Sequence, residues 1–348
     1  MKKLISVILA LVVVFSAALP CLAMSISKGV DSLRTLWSRD NGPMVNGHDI
    51  DYSYYSPVAN GKSANKKYPL VVIMAGALEG LVEGFELTAN ALASWTADEY
   101  QSRFHNGAAF LLIGRAPEEE EYYWDSSVIT PAFMAAIDDF AKKNPCVDKK
   151  RVYTVGWCLG GIGSLNLMTM YPDYFAAGMI MTPSREITPG EAKIIKDKPI
   201  WLMGCKRDTY VSYLNVMLRS WYNLKKETNH PENIRYTVYD RAPGVTLADT
   251  FPFINNHDVW TNVAYDMDSD NKEYKGEKTI DGNGNEIDSP TAIAWLNSFT
   301  LDKNADTSGK LPSPFYKFFK ETLKNEERVF IIKVILRFLD TFGYIDLY

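Results

Sequence analysis

The residues with the clearest chemical promise lie in "RVYTVGWCLGG", residues 151–161. Cys158 occupies the centre of Gly156-Trp157-Cys158-Leu159-Gly160-Gly161, between an apolar alternating run and a run with helical spacing. A side chain presented on a sharp strand-to-helix turn needs small neighbours, because the turn forces the central residue into strained backbone angles. The helix start beneath it offers unpaired N–H groups and the positive end of the dipole, which favour a thiolate or an oxyanion. A buried structural cysteine in a glycine-rich turn is the competing reading.

A nucleophile of this kind needs a base, and the chain has four histidines. His48, His105 and His230 sit in polar stretches. His257 lies in "FPFINNHDVWTNVAYD", after the last expected strand and at the start of a helical pattern, where a general base hangs to reach the turn. A carboxylate must orient the imidazole. Asp208 in "WLMGCKRDTYV" follows one strand and its rival Asp240 ends the next, while Asp258 would point away from a helix starting at His257. The chain order Cys158, Asp208, His257 is nucleophile, acid, base. Two backbone donors are expected for a developing oxyanion: Leu159 N–H, from the turn itself, and Ala77 N–H, in the loop that Gly76 opens. The resulting chemistry is acyl transfer to water through a thioester. Esters are preferred over peptides, because a thiolate expels an amine poorly unless the amine is first protonated.

The elements around these residues are short apolar strands alternating with helices. Strands are expected at Tyr68–Gly76, Ala109–Ala116, Arg151–Trp157, Ala176–Pro183, Pro199–Cys205 and Ile234–Asp240. Helices are expected at Pro131–Lys143, after Gly160 up to Pro172, and at Tyr210–Glu227. An antiparallel pair is expected within Asn46–Val58. This pattern means a mostly parallel sheet covered on both faces, with functional groups at the carboxyl ends of the strands.

Composition narrows the alternatives. The 348 residues are 47% hydrophobic, and the formal net charge is −5. An acidic chain of this kind argues against nucleic acid as the main partner. Lys2 and Lys3, the apolar run Leu4–Leu19 and the small residues near Ala23 form the three parts of a signal peptide, so a secreted or otherwise extracytoplasmic location is expected. Removal of residues 1–23 would take the charge from −5 to −7, through loss of the two lysines. Three cysteines would remain. Cys146 and Cys205 read as small buried hydrophobes.

These residues resemble a known family. "YPLVVIMAGALEG", "RVYTVGWCLGGIGSLNLMTMYPDYFAAG", "KPIWLMGCKRD" and the His257-Asp258-Val259-Trp260-Thr261 run are similar to exported α/β-hydrolases of the polyhydroxybutyrate-depolymerase, feruloyl-esterase and prolyl-oligopeptidase-like group. The resemblance covers roughly residues 45 to 266 and the helix near Thr291–Thr300. It implies an α/β-hydrolase fold with an eight-stranded, mostly parallel sheet. The nucleophile would follow the fifth strand, the acid the seventh and the base the eighth. The sequence departs from the group twice. Cys158 stands where Ser is usual, as in dienelactone hydrolases, and Ala75 stands where the group usually has His. A carboxylesterase acting on a small-molecule or polymer-borne ester, with no cofactor and no metal, is the resulting expectation. The alternatives are a peptidase or thioesterase on the same scaffold, or a hydrolase-fold binding protein without turnover.

Several segments lie outside this scheme. The expected organisation is a signal peptide at 1–23, the hydrolase domain at 24–300 with an acidic insertion at 266–290, a linker at 301–314 and an amphipathic helical extension at 315–348. "DMDSDNKEYKGE" (266–277) spaces acids like a calcium loop but has Asn271 where such loops need glycine, so it reads as a solvated insertion. "IDGNGNEID" beyond it reads as a hairpin turn. In "VFIIKVILRFLDTFGYI", Lys333, Arg337 and Asp340 share one helical face, which disfavours a membrane span. A helix packed on protein is the plainer expectation there, and a membrane-surface anchor the sharper one.

Overall fold

The computed structural model describes residues 33, 35–76, 95–115, 124, 129–240, 256–257, 259–260, 263, 278–288 and 291–302. Its strands are β1 (Trp37–Asn41), β2 (Asp51–Tyr55), β3 (Tyr68–Met74), β4 (Phe110–Gly114), β5 (Val147–Trp157), β6 (Ala177–Met181), β7 (Ile200–Cys205), β8 (Ile234–Tyr239) and β9 (Lys278–Asp281). Its helices, numbered among the described residues, are α1 (Asp98–Gln101), α2 (Ile129–Lys143), α3 (Leu159–Met170), α4 (Pro189–Ile194), α5 (Arg219–Glu227) and α6 (Ala292–Asn297).

The strands form one sheet in the order β1-β2-β4-β3-β5-β6-β7-β8-β9. Strands β3 to β8 run parallel, and β1, β2 and β9 are antiparallel at the two edges. This is an α/β-hydrolase fold. The sheet has nine strands rather than the eight expected, because Lys278–Asp281 adds an edge strand to β8. A buried hydroxyl chain fastens it: Trp201 Nε1 donates to Thr237 Oγ1 at 2.8 Å, and Thr237 Oγ1 lies 2.8 Å from Thr279 Oγ1.

The parallel strands are buried on both faces, as their continuous apolar sequences require. All seven residues of β3 and all six of β7 are buried. One face packs Val72, Met74, Ile180 and Leu202 under α2 and α3. The other packs Val71, Ile73, Met203 and Cys205 under Trp95, Val259, Val263 and Trp295. Helix α2 shows why its sequence is helical: Ile129, Phe133, Ile137 and Phe140 recur on one face and are buried, while Asp138–Lys142 and Asp139–Lys143 pair at i,i+4 on the other. Truncating Phe133 to Ala there costs about 3–5 kcal/mol.

Three elements differ from expectation. Helix α2 starts at Ile129, two residues earlier, because Pro131 needs no N–H in a first turn. The hairpin partner of β2 is Trp37–Asn41, not a second strand within 46–58, and β4 pairs on its other side. The expected helix at Tyr210–Glu227 begins as a wide turn, Tyr213–Leu218, capped when Ser212 Oγ accepts from Asn215 N–H, and becomes regular at Arg219. The N-terminal 23 residues, the calcium-like loop 266–277 and the extension 315–348 lie outside the described residues.

Candidate active site

Strand β5 runs straight into α3, and Cys158 is the hinge between them. Its backbone sits at φ 55°, ψ −124°, a region that a non-glycine residue occupies at a cost of order 1–3 kcal/mol. Neighbouring glycines make the turn sterically possible. A Cβ on Gly160 would lie 2.0 Å from Met74 O, and one on Gly156 would lie 2.1 Å from Gly160 O. Helix and strands therefore touch backbone to backbone, and no larger residue fits. Gly161 is less crowded, with Met181 O 3.0 Å from its virtual Cβ. Beneath the turn, Thr154 Oγ1 donates to Ser164 Oγ at 2.8 Å and ties β5 to α3.

The Cys158 backbone is fixed from both sides. Its N–H donates to Met181 O at 3.1 Å, and its C=O accepts from Gly161 N–H at 3.1 Å and Ser184 N–H at 3.2 Å. The thiol does not cap the helix and is partly exposed. Leu159 is the first helical residue, so its N–H has no acceptor within the helix. Ala77, the second expected donor, lies outside the described residues.

Asp208 follows β7. Its Oδ1 accepts from the N–H groups of Tyr210 (2.8 Å) and Val211 (2.9 Å), an Asx-turn that locks the carboxylate. Its Oδ2 lies 2.7 Å from His257 Nδ1, and the carboxylate is closed off from solvent, with 0% side-chain exposure. Asp240 is placed otherwise: half-exposed and paired with Lys206. Among the described residues Asp208 is the acid at His257. Asp258 lies outside them.

His257 is 6% exposed, and its Nε2 is enclosed. Burial alone would lower its pKa. The hydrogen-bonded Asp208 carboxylate and the nearby Cys158 sulfur outweigh that, and the imidazole is pushed up to about 10. Val259 and Val263, both buried, anchor the segment that carries it. Two aromatic rings flank the imidazole edge-on, Tyr210 and Trp260, each with its centroid 5.5 Å away. Trp260 in turn stacks on Trp157, 5.4 Å away and tilted by 25°, the residue before Cys158. This aromatic link between turn and base was not anticipated from sequence. Its only sequence signal is a tryptophan adjoining Cys158 and another three residues after His257.

The remaining candidates fall elsewhere. His105 precedes β4 and His230 precedes β8, at the amino ends of the strands, and His48 pairs with Val45 in the β1–β2 connection. Cys205 is buried, which pushes its thiol up. Cys146 is half-buried and donates to Ala64 O. Ala75, where the related group carries His, is buried, and its carbonyl accepts from Trp124 Nε1 at 3.1 Å. The described residues contain no cluster of His, Cys, Asp and Glu suited to a metal.

No family model matches the chain, and no curated protein matches it by sequence. Solved structures do resemble it. A thermostable esterase aligns over 76% of this chain and 64% of its own, with a TM-score of 0.57 and 20% identity. An acylaminoacyl peptidase from Pyrococcus horikoshii aligns over 59% of this chain and 37% of its own, with a TM-score of 0.43 and 13% identity. The chain thus spans less than two thirds of the length of either. At such identities the likeness to the esterase is one of fold.

Proposed function

We propose that the protein is a hydrolase that cleaves carboxylic esters through an acyl-thioester on Cys158. One observation carries this reading. A buried carboxylate, Asp208, sits 2.7 Å from the Nδ1 of a buried imidazole, His257, and the thiol whose proximity helps raise that imidazole's pKa, Cys158, sits on a strained strand-to-helix turn. Structural cysteines require none of these three features.

The chemistry follows from the arrangement. Transfer of the Sγ proton to His257 gives a thiolate–imidazolium pair, which Asp208 stabilises and orients through Nδ1. The sulfur attacks the ester carbonyl, and the oxygen gathers charge facing Leu159 N–H, with Ala77 N–H as the proposed second donor. Collapse of that intermediate breaks the C–O bond, and the alcohol leaves with the proton held on His257 Nε2. Water then attacks the thioester, gives a proton to His257, and releases the acid and Cys158.

The test uses the pure protein and short-chain p-nitrophenyl esters, with and without iodoacetamide. Turnover that disappears in step with alkylation of Cys158 is expected. Turnover that survives complete alkylation, or none at all, sinks the proposal. A peptidase reading is favoured by no separate observation. We also propose that residues 1–23 direct export. Secretion of the chain with a new N-terminus after Ala23 supports this, and an intact cytoplasmic chain refutes it.

A further inference from the structure

The charge of this acidic chain is unevenly spread. Residues 62–67 and 142–151 contain eight cations and one acid, Asp148. The fold brings the two stretches together: Tyr68 pairs with Val147, Tyr68 N–H donates to Cys146 O at 2.8 Å, and Lys67 Nζ donates to Pro145 O. They meet at the amino ends of β3 and β5, around a recess of about 460 Å³ lined by Lys67, Lys142, Pro145, Asp148 and Lys149 among others.

Some of these cations are spoken for. Lys62 pairs with Asp98, Lys142 with Asp138, Lys143 with Asp40 and Asp139, and Arg151 with Asp148. Lys66, Lys67, Lys149 and Lys150 are exposed and have no carboxylate partner among the described residues. Eight residues of nearly extended chain separate Lys150 from Cys158, about 25 Å. The basic edge is therefore opposite the nucleophile and more than a Debye length from it.

Both chain ends leave the described domain at this edge. Leu301 N–H donates to Lys150 O at 2.9 Å and Thr300 Oγ1 to the same oxygen at 3.1 Å, so the described C-terminal end, at Asp302, lies beside Lys150. At the other end, Trp37 pairs with Tyr55 and Asn60 Nδ2 donates to Leu36 O, two residues from Lys62. The segment beyond the C-terminal end holds an apolar run, Val329–Ile345. A soluble polyanion would use the lysines and leave that run unexplained. A lipid bilayer uses both.

We propose that this edge is a docking face for an anionic bilayer, with Lys66, Lys67, Lys149 and Lys150 against the headgroups and the catalytic edge turned to the water. The inference stands apart from the hydrolase reading, because its readout is binding. Each cation near such a surface contributes about fivefold, so three contribute on the order of a hundredfold.

The experiment sediments the full chain with vesicles of phosphatidylglycerol and phosphatidylcholine in equal parts, and with phosphatidylcholine alone. Expected are binding to the mixed vesicles only, loss of binding in high salt, and binding weakened by about a hundredfold in the Lys66→Ala, Lys149→Ala, Lys150→Ala triple variant. The thermal midpoint reports folding, and a Gln triple variant is read instead if the Ala variant melts early. Equal binding to both vesicles, an unchanged triple variant, or no binding by the parent chain overturns the proposal. So does capture by soluble polyphosphate without capture by vesicles.

Discussion

Asp208→Asn is the perturbation with the best-defined consequence. Asp208 Oδ1 accepts from Tyr210 and Val211 N–H, and Asn can keep both bonds through its carbonyl oxygen. Its amide NH₂ then faces His257 Nδ1, where the carboxylate oxygen had been 2.7 Å away. Two donors cannot face each other, so Nδ1 becomes the acceptor and the ring proton moves to Nε2, the tautomer unable to take a proton from Cys158. The charge is lost as well. A unit charge about 4 Å from the imidazolium centre contributes about 4 kcal/mol at an effective dielectric of 20, roughly a thousandfold in rate. The His257 pKa falls from about 10, since the burial that opposes protonation is retained while its main support is removed. Steady-state kinetics on p-nitrophenyl acetate and histidine NMR titration read the two effects. Asp240→Asn is the control, because that carboxylate is exposed and bonded to Lys206, and its activity should stay within about twofold. A fall of less than about tenfold in kcat/KM for Asp208→Asn, or a His257 still titrating near 10, would refute the reasoning.

Three further predictions follow from the same geometry. Gly160→Ala puts a methyl 2.0 Å from Met74 O, whereas Gly190→Ala meets nothing nearer than 3.9 Å; urea unfolding should show a loss above about 3 kcal/mol for the first and a change within about 1 kcal/mol for the second. Trp260→Leu removes the ring between Trp157 and His257, so kcat should fall about tenfold with KM unchanged, and Trp260→Phe should restore part of it; an equal rise in KM would assign Trp260 to substrate binding instead. The His257 pKa is raised in the folded state, so its contribution to stability is full below about 6.5 and fades as pH rises through about 10. The unfolding free energy should fall across that window by an amount on the order of 3–5 kcal/mol, and a flat profile there contradicts the assignment.

Much of the site could be read from sequence because its signals are local. The spacing Gly156-x-Cys158-x-Gly160 encodes a turn in which backbone meets backbone, and the apolar runs β3 and β5 to β8 encode strands buried on two faces. What was illegible depends on contacts distant in sequence. Strand β1, "WSRDN", has one half-buried and four exposed residues, so it carries no alternation and exists only through pairing with β2. Strand β9 has four residues and a polar surround, and is held by Thr279 meeting Thr237. Helix α4 was missed although its capping box was visible: Thr188 and Glu191 bond reciprocally, with Pro189 at the first position. Asp208 lies just beyond β7 and Asp240 just beyond β8, so chain order favours Asp208 without excluding its rival. Only the Asx-turn that aims Asp208 at His257, and the Lys206 that draws Asp240 outward, separate them.

The central claim is that Cys158 carries the acyl group, and the most direct measurement is the mass of the trapped intermediate. The protein is mixed with a slowly hydrolysed p-nitrophenyl ester, quenched in acid within one turnover, and weighed intact and after proteolysis. The account predicts a mass increase of one acyl group, located on the peptide containing Cys158 and released by neutral hydroxylamine as a thioester is. Release of p-nitrophenol in a burst, with the acyl group on another residue or on none, would contradict it.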